Sequence, residues 1–166
     1  MAEQSVNAID LLMDQHREVE EIFDDLGEAE SPDERAEICA LLCDKLAIHA
    51  KIEETVFYPG VRAEDTEGQL LEAVEEHLQV KRVIADLLDL DPSEERFMAT
   101  IKVLRDDVSH HVEEEEGELF PKVRKIFDED RLVAIAQEMM AMVVELEDKS
   151  PRNGVPAETD APAPLR

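Results

Sequence analysis

The sequence contains no tryptophan, one tyrosine and only two cysteines. Its apolar content comes instead from Leu, Val, Ile, Ala and Met, a composition typical of amphipathic helices with a solvated outer face. Cys39 and Cys43 have the spacing of neighbours on one helix face, which rarely suits disulfide geometry. This spacing predicts buried free thiols and a cytoplasmic protein.

Basic residues are also scarce, because 17 Lys and Arg stand against 43 Asp and Glu, for a formal charge of -26. Such a surface repels phosphate backbones and anionic lipid, which argues against nucleic acid and membrane surfaces as partners. It attracts cations, and it also keeps a small protein soluble. No apolar stretch is long enough to span a membrane, and the first residues do not have the pattern of a signal peptide.

Apolar residues recur three and four positions apart along five segments, which predicts five amphipathic helices. The first spans residues 6–26. The second opens at a capping box, Ser31-Pro32-Asp33-Glu34, and the fourth opens at the similar Asp91-Pro92-Ser93-Glu94. The third ends near Leu90, and the fifth spans residues 130–149.

The first four helices form an internal repeat. His49 follows His16 by 33 residues and His111 follows His77 by 34, with the same elements between them. Two similar helical hairpins predict an all-α, up-down-up-down four-helix bundle over residues 1–127. An extra C-terminal helix over residues 128–149 is predicted to pack on the bundle. The Pro/Ala-rich tail, residues 150–166, is predicted to be disordered.

Polar residues interrupt the apolar stripes of these four helices. The interrupting residues are His16, His49, Glu53, His77, His111 and Glu115. One histidine on an apolar face is usually an ordinary core residue, but two buried carboxylates without a counter-charge are costly in a small core. A bound cation removes that cost, since it accepts imidazole nitrogens and carboxylate oxygens together. The set therefore predicts a metal site.

The ligand types narrow the choice of metal. Imidazole with carboxylate suits iron, manganese or zinc, whereas structural zinc sites use thiolates and calcium sites use oxygen cages. Two glutamates able to bridge, with two histidines for each side, favour a pair of ions over one. Ferritin-like bundles carry Glu three residues before His. The corresponding residues here are all apolar: Met13, Leu46, Val74 and Val108.

The order His, His-x-x-x-Glu, His, His-x-x-x-Glu is carried here by His16, His49–Glu53, His77 and His111–Glu115. It resembles the hemerythrin-like family, the HHE cation-binding domain, over about residues 6–127. The resemblance implies a non-haem site of two iron ions, in preference to manganese or zinc. It also implies that the two carboxylates bridge the ions and that an open position accepts dioxygen or peroxide.

One position departs from the oxygen-carrying members of that family. They have a fifth histidine one turn after the third-helix ligand, where this chain has Lys81; the matching position in the first repeat is Glu20. We expect Lys81 and Glu20 to pair across the bundle, or Glu20 to supply an extra ligand, or both to reach solvent from the edge of the site. His110 is expected at the surface, and Tyr58 near the periphery without an assigned role.

The open coordination implied by Lys81 favours redox chemistry with a small oxidant: hydrogen peroxide, dioxygen or nitric oxide. Catalase-like decomposition of peroxide is one such activity. The alternatives are reversible dioxygen binding, iron buffering, and oxygen or iron sensing through a partner. The missing fifth histidine disfavours carriage, and a metal-free scaffold would not explain the buried charges. The chain is expected to be a monomer or a weak homodimer.

Overall fold

The computed structural model describes residues 5–165, and every regular element within that range is helical. In chain order the elements are α1 (Ala8–Glu28), α2 (Pro32–Ile52), a first π-helical turn (Glu53–Phe57), α3 (Tyr58–Gly60), α4 (Glu67–Asp89), α5 (Glu95–Glu114), a second π-helical turn (Glu115–Leu119), α6 (Phe120–Ile126), α7 (Glu129–Leu146) and a 3-10 helix (Pro151–Glu158). Because α2 and α5 continue through their π turns into α3 and α6, four long rods make up the bundle. The predicted all-α four-helix bundle is confirmed.

Local sequence fixes where the helices begin. The Ser31 hydroxyl accepts a hydrogen bond from the Glu34 backbone, as the predicted cap requires. The Glu34 carboxylate accepts from the backbone of Glu30, one residue before the N-cap residue Ser31 that a capping box would use. The Asn7 side chain caps α1 by accepting from the Asp10 backbone. Within residues 5–165, no helix combines the length and apolar character needed to cross a membrane.

The bundle interior consists of two apolar cores separated by a polar layer. One core contains Leu12 of α1 and Leu70 of α4, and the other contains Phe23 of α1 and Leu104 of α5. The predicted ligands lie between them, since each long helix contributes apolar residues on both sides of its histidine. Cys39 and Cys43 are buried free thiols in the second core, as predicted.

The helix after the bundle packs on the first core. Leu132, Ile135 and Met139 of α7 are buried against residues of α1 and of the segment around Tyr58. The Asn7 amide donates to the Glu129 carboxylate at 3.0 Å, which joins the start of α1 to the start of α7. This helix therefore closes the end of the bundle below the polar layer.

Disorder is predicted for residues 150–166, but the structure has residues 150–165 packed on the bundle; Arg166 lies outside the described residues. Residues 151–158 form a 3-10 helix whose Val155 is buried in the second core. Arg152 pairs with Asp44 of α2 at 2.7 Å, and Glu158 lies 3.0 Å from Lys51 and 3.6 Å from Lys81. The apolar anchor and these ion pairs explain why a Pro/Ala-rich segment is ordered across α2 and α4. We call residues 150–165 the C-terminal strap.

Candidate metal centre

The structure brings all the predicted ligands together in the polar layer. The residues that meet there, each buried, are His16, His49, Glu53, His77, His111 and Glu115. The i,i+4 spacing within α2 and its π turn, and within α5 and its π turn, puts each Glu beside its own His. The antiparallel hairpins then turn the four imidazoles toward one another.

The ligand atoms fall into two adjoining groups. The first contains His16 and His49, whose Nε2 atoms lie 3.2 Å apart, together with Glu53 and Glu115. The second contains His77 and His111, also with Nε2 atoms 3.2 Å apart, and again Glu53. The site is therefore two nitrogen and oxygen clusters placed side by side.

The two carboxylates connect these clusters. Glu53 Oε1 lies 2.8 Å from His49 Nε2, and its Oε2 lies 2.9 Å from His77 Nε2. Glu115 Oε1 lies 3.0 Å from His111 Nε2 and 3.4 Å from His16 Nε2. Each carboxylate thus reaches both histidine pairs, the arrangement that bridging requires.

A second set of side chains orients the imidazoles by accepting from Nδ1. Glu116 accepts from His16 at 2.8 Å, Gln15 from His49 at 2.7 Å, Glu54 from His77 at 2.9 Å and Glu76 from His111 at 2.9 Å. A hydrogen bond at Nδ1 fixes that ring nitrogen as the protonated one and leaves Nε2 available as a ligand. All four imidazoles therefore present Nε2 to the centre of the site.

These acceptors follow the internal repeat. Gln15 and Glu76 each precede a ligand histidine in sequence, and Glu54 and Glu116 each follow a ligand glutamate. Each bonds a histidine on a different helix from its own. Sequence reasoning missed this set, although polar residues next to the ligands at matching places in both repeats were a signal that could have found it.

In the metal-free site the carboxylates and the imidazoles shift one another's pKa. Burial raises the pKa of Glu53, but the facing imidazoles, led by His49, outweigh burial and leave that pKa well below its ordinary value. Burial lowers the pKa of His111, but the charge of Glu115 and the carboxylates of Glu115, Glu53 and Glu76 close to its ring leave that pKa well above its ordinary value. Cations bound at Nε2 would replace those protons.

Tyr58 lies at the centre of the site, not at the periphery. Its hydroxyl is buried and lies 2.6 Å from Glu53 Oε2 and 3.0 Å from Glu115 Oε2, so it can donate its hydrogen bond to either carboxylate. Burial and the charges of Glu115 and Glu53 raise the pKa of Tyr58 well above its ordinary value. The phenol therefore keeps its proton beside two anionic groups.

The π turns explain this placement. The backbone N–H of Tyr58 donates to Glu53 O, and that of Phe120 donates to Glu115 O, five residues back in each case. A proline follows each of these residues, and proline has no N–H and clashes with the carbonyl four residues earlier, so a wider turn accommodates it. Each wider turn rotates the residues that follow it. The ring of Tyr58 then stacks on that of His77, and the ring of Phe120 stacks on that of His16.

The expected pairing of Lys81 with Glu20 is wrong. Lys81 is buried, with Nζ 2.9 Å from Glu54 Oε1, because the first π turn brings Glu54 over α4. Glu20 is exposed on α1 and is not among the clustered ligand atoms. Lys81 and Tyr58 both lie on the side of His77, so the two halves of the site are chemically unequal despite the repeat.

His110 is exposed, as predicted, with its ring 3.0 Å from Glu114. It forms a surface group with Glu114 and Glu76. Glu76 also accepts from His111 Nδ1, so this group touches the buried site only through that hydrogen bond.

A small apolar cavity adjoins the four imidazoles on the side away from Tyr58. It has a volume of about 30 Å³, and aliphatic residues such as Val19, Leu46 and Val80 complete its wall. By this measure a single water occupies about 10–15 Å³, so the cavity suits a molecule of about two or three heavy atoms. We call it the imidazole cavity.

The residues present fit a pair of cations. Glu53 Oε1 and Glu115 Oε1 are fully buried and accept no hydrogen bond, although imidazole nitrogens lie close to both. Buried anionic oxygens without a donor are costly unless a cation faces them. Four imidazole nitrogens converging on two such carboxylates match cations that take mixed nitrogen and oxygen ligands.

Comparison with known proteins agrees with this geometry. The sequence profile of the hemerythrin HHE cation binding domain matches residues 7–123. The crystal structure of a hemerythrin HHE cation binding domain-containing protein from Mycobacterium kansasii is similar in fold, with a TM-score of 0.74 and 24% identity over 90% of this chain and 89% of that one.

A DNA nickase from Nostoc sp. is 30% identical over 138 residues, which make up 83% of this chain and 39% of the relative. The chain thus spans about two fifths of the length of that relative. The profile match covers most of the chain and contains all six clustered residues. This chain is a metal-binding member of the hemerythrin HHE cation binding domain family.

Proposed function

We propose that the chain holds two iron ions and reacts at them with a small oxidant, with hydrogen peroxide as the preferred substrate ahead of dioxygen and nitric oxide. The observation that carries this proposal is the sharing of Glu53 between two buried histidine clusters. A carboxylate common to both clusters supports two ions held together, and iron is the redox-active metal among those that suit these ligands.

In this proposal His16 and His49 would hold one ion, and His77 and His111 would hold the other. Glu53 and Glu115 would serve both ions, since each carboxylate reaches both pairs. Iron bound there would supply Lewis acidity and reversible electron transfer. The protein supplies the geometry, the exclusion of water and the protons.

The imidazole cavity selects the substrate by size. With about 30 Å³ it admits a molecule of two or three heavy atoms, and its aliphatic wall offers no hydrogen bonds that would hold an ordered water. Tyr58 lies on the opposite side. Because its pKa is raised, its hydroxyl remains protonated near neutral pH and donates a hydrogen bond to Glu53 or Glu115, which holds the two carboxylates in place.

The presence of Lys81 favours a reaction with an oxidant over reversible binding of dioxygen. Glu54 holds its ammonium as an ion pair, so no fifth imidazole is available at the place where the oxygen carriers of the family have one. The ion beside His77 would therefore have fewer protein ligands and more room for a substrate. The net reaction converts two molecules of peroxide, one oxidised and one reduced, into dioxygen and two molecules of water.

Nicking of DNA is not proposed for this chain. That activity is named for a relative more than twice as long, and the formal charge of -26 opposes binding to a phosphate backbone. The free thiols of Cys39 and Cys43 support a reducing, cytoplasmic setting for the proposed activity.

The test is reconstitution of the metal-free protein with ferrous iron under anaerobic conditions. Bound iron is then measured, the optical spectrum is recorded, and dioxygen release is followed with an oxygen electrode after peroxide is added. The expected result is two irons per chain with sustained dioxygen release. The matched control is a His49→Ala, His111→Ala double variant, which should lose iron and the activity together.

Other outcomes would overturn the proposal. A reversible dioxygen spectrum without turnover would establish oxygen binding, and iron uptake without either response would establish buffering. One iron per chain, or no metal after reconstitution of a folded protein, would exclude the two-iron account.

A further inference from the structure

We propose that the cleft between α1 and α5 is the entrance through which a small uncharged oxidant reaches the imidazole cavity. This inference rests on the proposed reaction at the site and adds the route and the residues that control it. The cleft has a volume of about 180 Å³ and opens on the side of the bundle opposite the Lys81 and Glu54 pair.

The cleft and the imidazole cavity share a wall. His16, Val19, Val108 and Val112 line both spaces, so a molecule in the cleft is separated from the imidazoles only by those side chains. Val108 and Val112 are half-buried, which places them at the boundary between solvent and cavity. Valine side chains present no polar group that would hold water in the passage.

Two side-chain bridges join α1 and α5 on either side of this opening. Arg105 of α5 lies 2.7 Å from Asp24 of α1 and also covers the ring of Phe23. Toward the other end of the bundle, His16 Nδ1 donates to Glu116 at 2.8 Å. Polar bridges therefore join the two helices above and below the shared valines, and among residues 5–165 none crosses between them at the level of those valines.

Packed side chains bound two other sides of the site. Phe57 and Phe120 stand edge to face below the ligands and are fully buried. Lys81 and Glu54 fill the side toward α4, and the C-terminal strap lies outside them through Glu158. The apolar passage past Val108 and Val112 avoids both of these barriers.

Charge at the mouth selects against anions. Glu20 and Glu113 line the cleft and are exposed, whereas Arg105, which also lines it, is paired with Asp24. The mouth therefore carries net negative charge, which repels anions and leaves uncharged molecules unaffected. This gives exposed Glu20, which is not a ligand, a part in specificity.

The test measures binding of azide to the cobalt(II)-loaded protein by stopped-flow absorption, so the readout does not depend on turnover. Val112→Phe narrows the passage, and we expect it to lower the association and dissociation rate constants by about tenfold each, which corresponds to about 1.4 kcal/mol of added barrier. Because a narrower entrance slows entry and exit of azide by the same factor, the dissociation constant of azide should stay unchanged. Val108→Ala should raise both rate constants together.

Val80→Ala is the matched control. Val80 lines the imidazole cavity but not the cleft, so it removes the same two methyl groups without widening the passage. It is expected to leave the association rate constant unchanged. Equal rate constants in Val108→Ala and Val80→Ala would overturn the proposal, and this comparison remains decisive if Val112→Phe fails to fold.

The charge at the mouth has its own test. Glu20→Lys should raise the azide association rate constant and leave the peroxide rate of the iron-loaded protein unchanged, whereas Glu21→Lys, an exposed neighbour outside the cleft, should change neither. Equal responses to the two variants would refute the role of Glu20. The iron-loaded wild type could release no dioxygen from peroxide while the azide rate constants change in the valine variants as expected. The proposed function would then be refuted and the proposed entrance would be supported.

Discussion

The ammonium of Lys81 lies 2.9 Å from Glu54 Oε1, and that same oxygen lies 2.9 Å from Nδ1 of His77. Lys81 is 6% exposed and Glu54 is 7% exposed. Burial raises the pKa of Glu54, but the hydrogen bond to His77 and the charges of His77 and Lys81 have the larger combined effect and leave that pKa below its ordinary value. The Lys81 ammonium therefore helps to hold Glu54 in position beside the imidazole of His77.

Replacing Lys81 with Met should lower the free energy of unfolding by about 3 kcal/mol, because it leaves a buried carboxylate with one partner fewer. Urea unfolding of the metal-free protein measures this change. Lys102→Met is the matched control, since the pair of Lys102 with Asp106 is exposed and should contribute at most about 0.5 kcal/mol. Similar losses in the two variants would contradict the buried role of Lys81.

Replacing Glu53 with Gln should reduce bound iron from two ions per chain to one or none. Glu53 belongs to both ligand clusters, and an amide offers one neutral oxygen where the carboxylate offers two charged ones. Metal analysis after gel filtration provides the measurement. Glu113→Gln, an exposed change on α5, should retain full occupancy, and a Glu53→Gln protein that also retains two irons would rule out a bridging role for Glu53.

Tyr58 should not ionise in the folded, metal-free protein as the pH rises past 10. Its pKa is raised by burial and by Glu115 and Glu53, whereas the unfolded chain ionises with a pKa of about 10. The unfolded state therefore loses this proton first, so the free energy of unfolding falls as the pH rises above 10.

The chain has one tyrosine, so tyrosinate absorbance reports Tyr58 alone. The absorbance should increase only together with loss of helical circular dichroism. A tyrosinate signal that develops while the helices remain intact would show that the phenol is not held as described.

Replacing Val155 with Asp should release the C-terminal strap without unfolding the bundle. The valine is buried in the second core, and a carboxylate there would be desolvated without a partner. Hydrogen exchange should become fast over residues 151–158 and change little in α1 and α5. Ala157→Asp, at an exposed position of the same 3-10 helix, should leave the strap protected.

The fold and the six clustered residues could be predicted because both depend on periodicity. A histidine or glutamate on an otherwise apolar stripe must point inward, and the repeat of about 33 residues places the two halves face to face. Tyr58 could not be placed this way, since an α-helical period assumes a uniform turn and the π turn rotates every residue that follows it.

The same turn explains the wrong partner expected for Lys81. Symmetry of the repeat pointed to Glu20, but the actual partner is Glu54, which follows a ligand in the first π turn. The strap was missed for a different reason. Its composition resembles that of disordered segments, whereas its order depends on Val155 and on ion pairs with Asp44 and Lys51, which only the folded bundle brings within reach.

The polar layer between the two apolar cores has a consequence for cooperativity. Each core can bury its own side chains, and the groups between them contribute little hydrophobic free energy of their own. Cations shared by all four long helices would join the two cores into one unit. Unfolding of the loaded protein should then be a single sharp transition, whereas the metal-free chain can lose one core before the other, so metal occupancy rather than core size sets how the bundle unfolds.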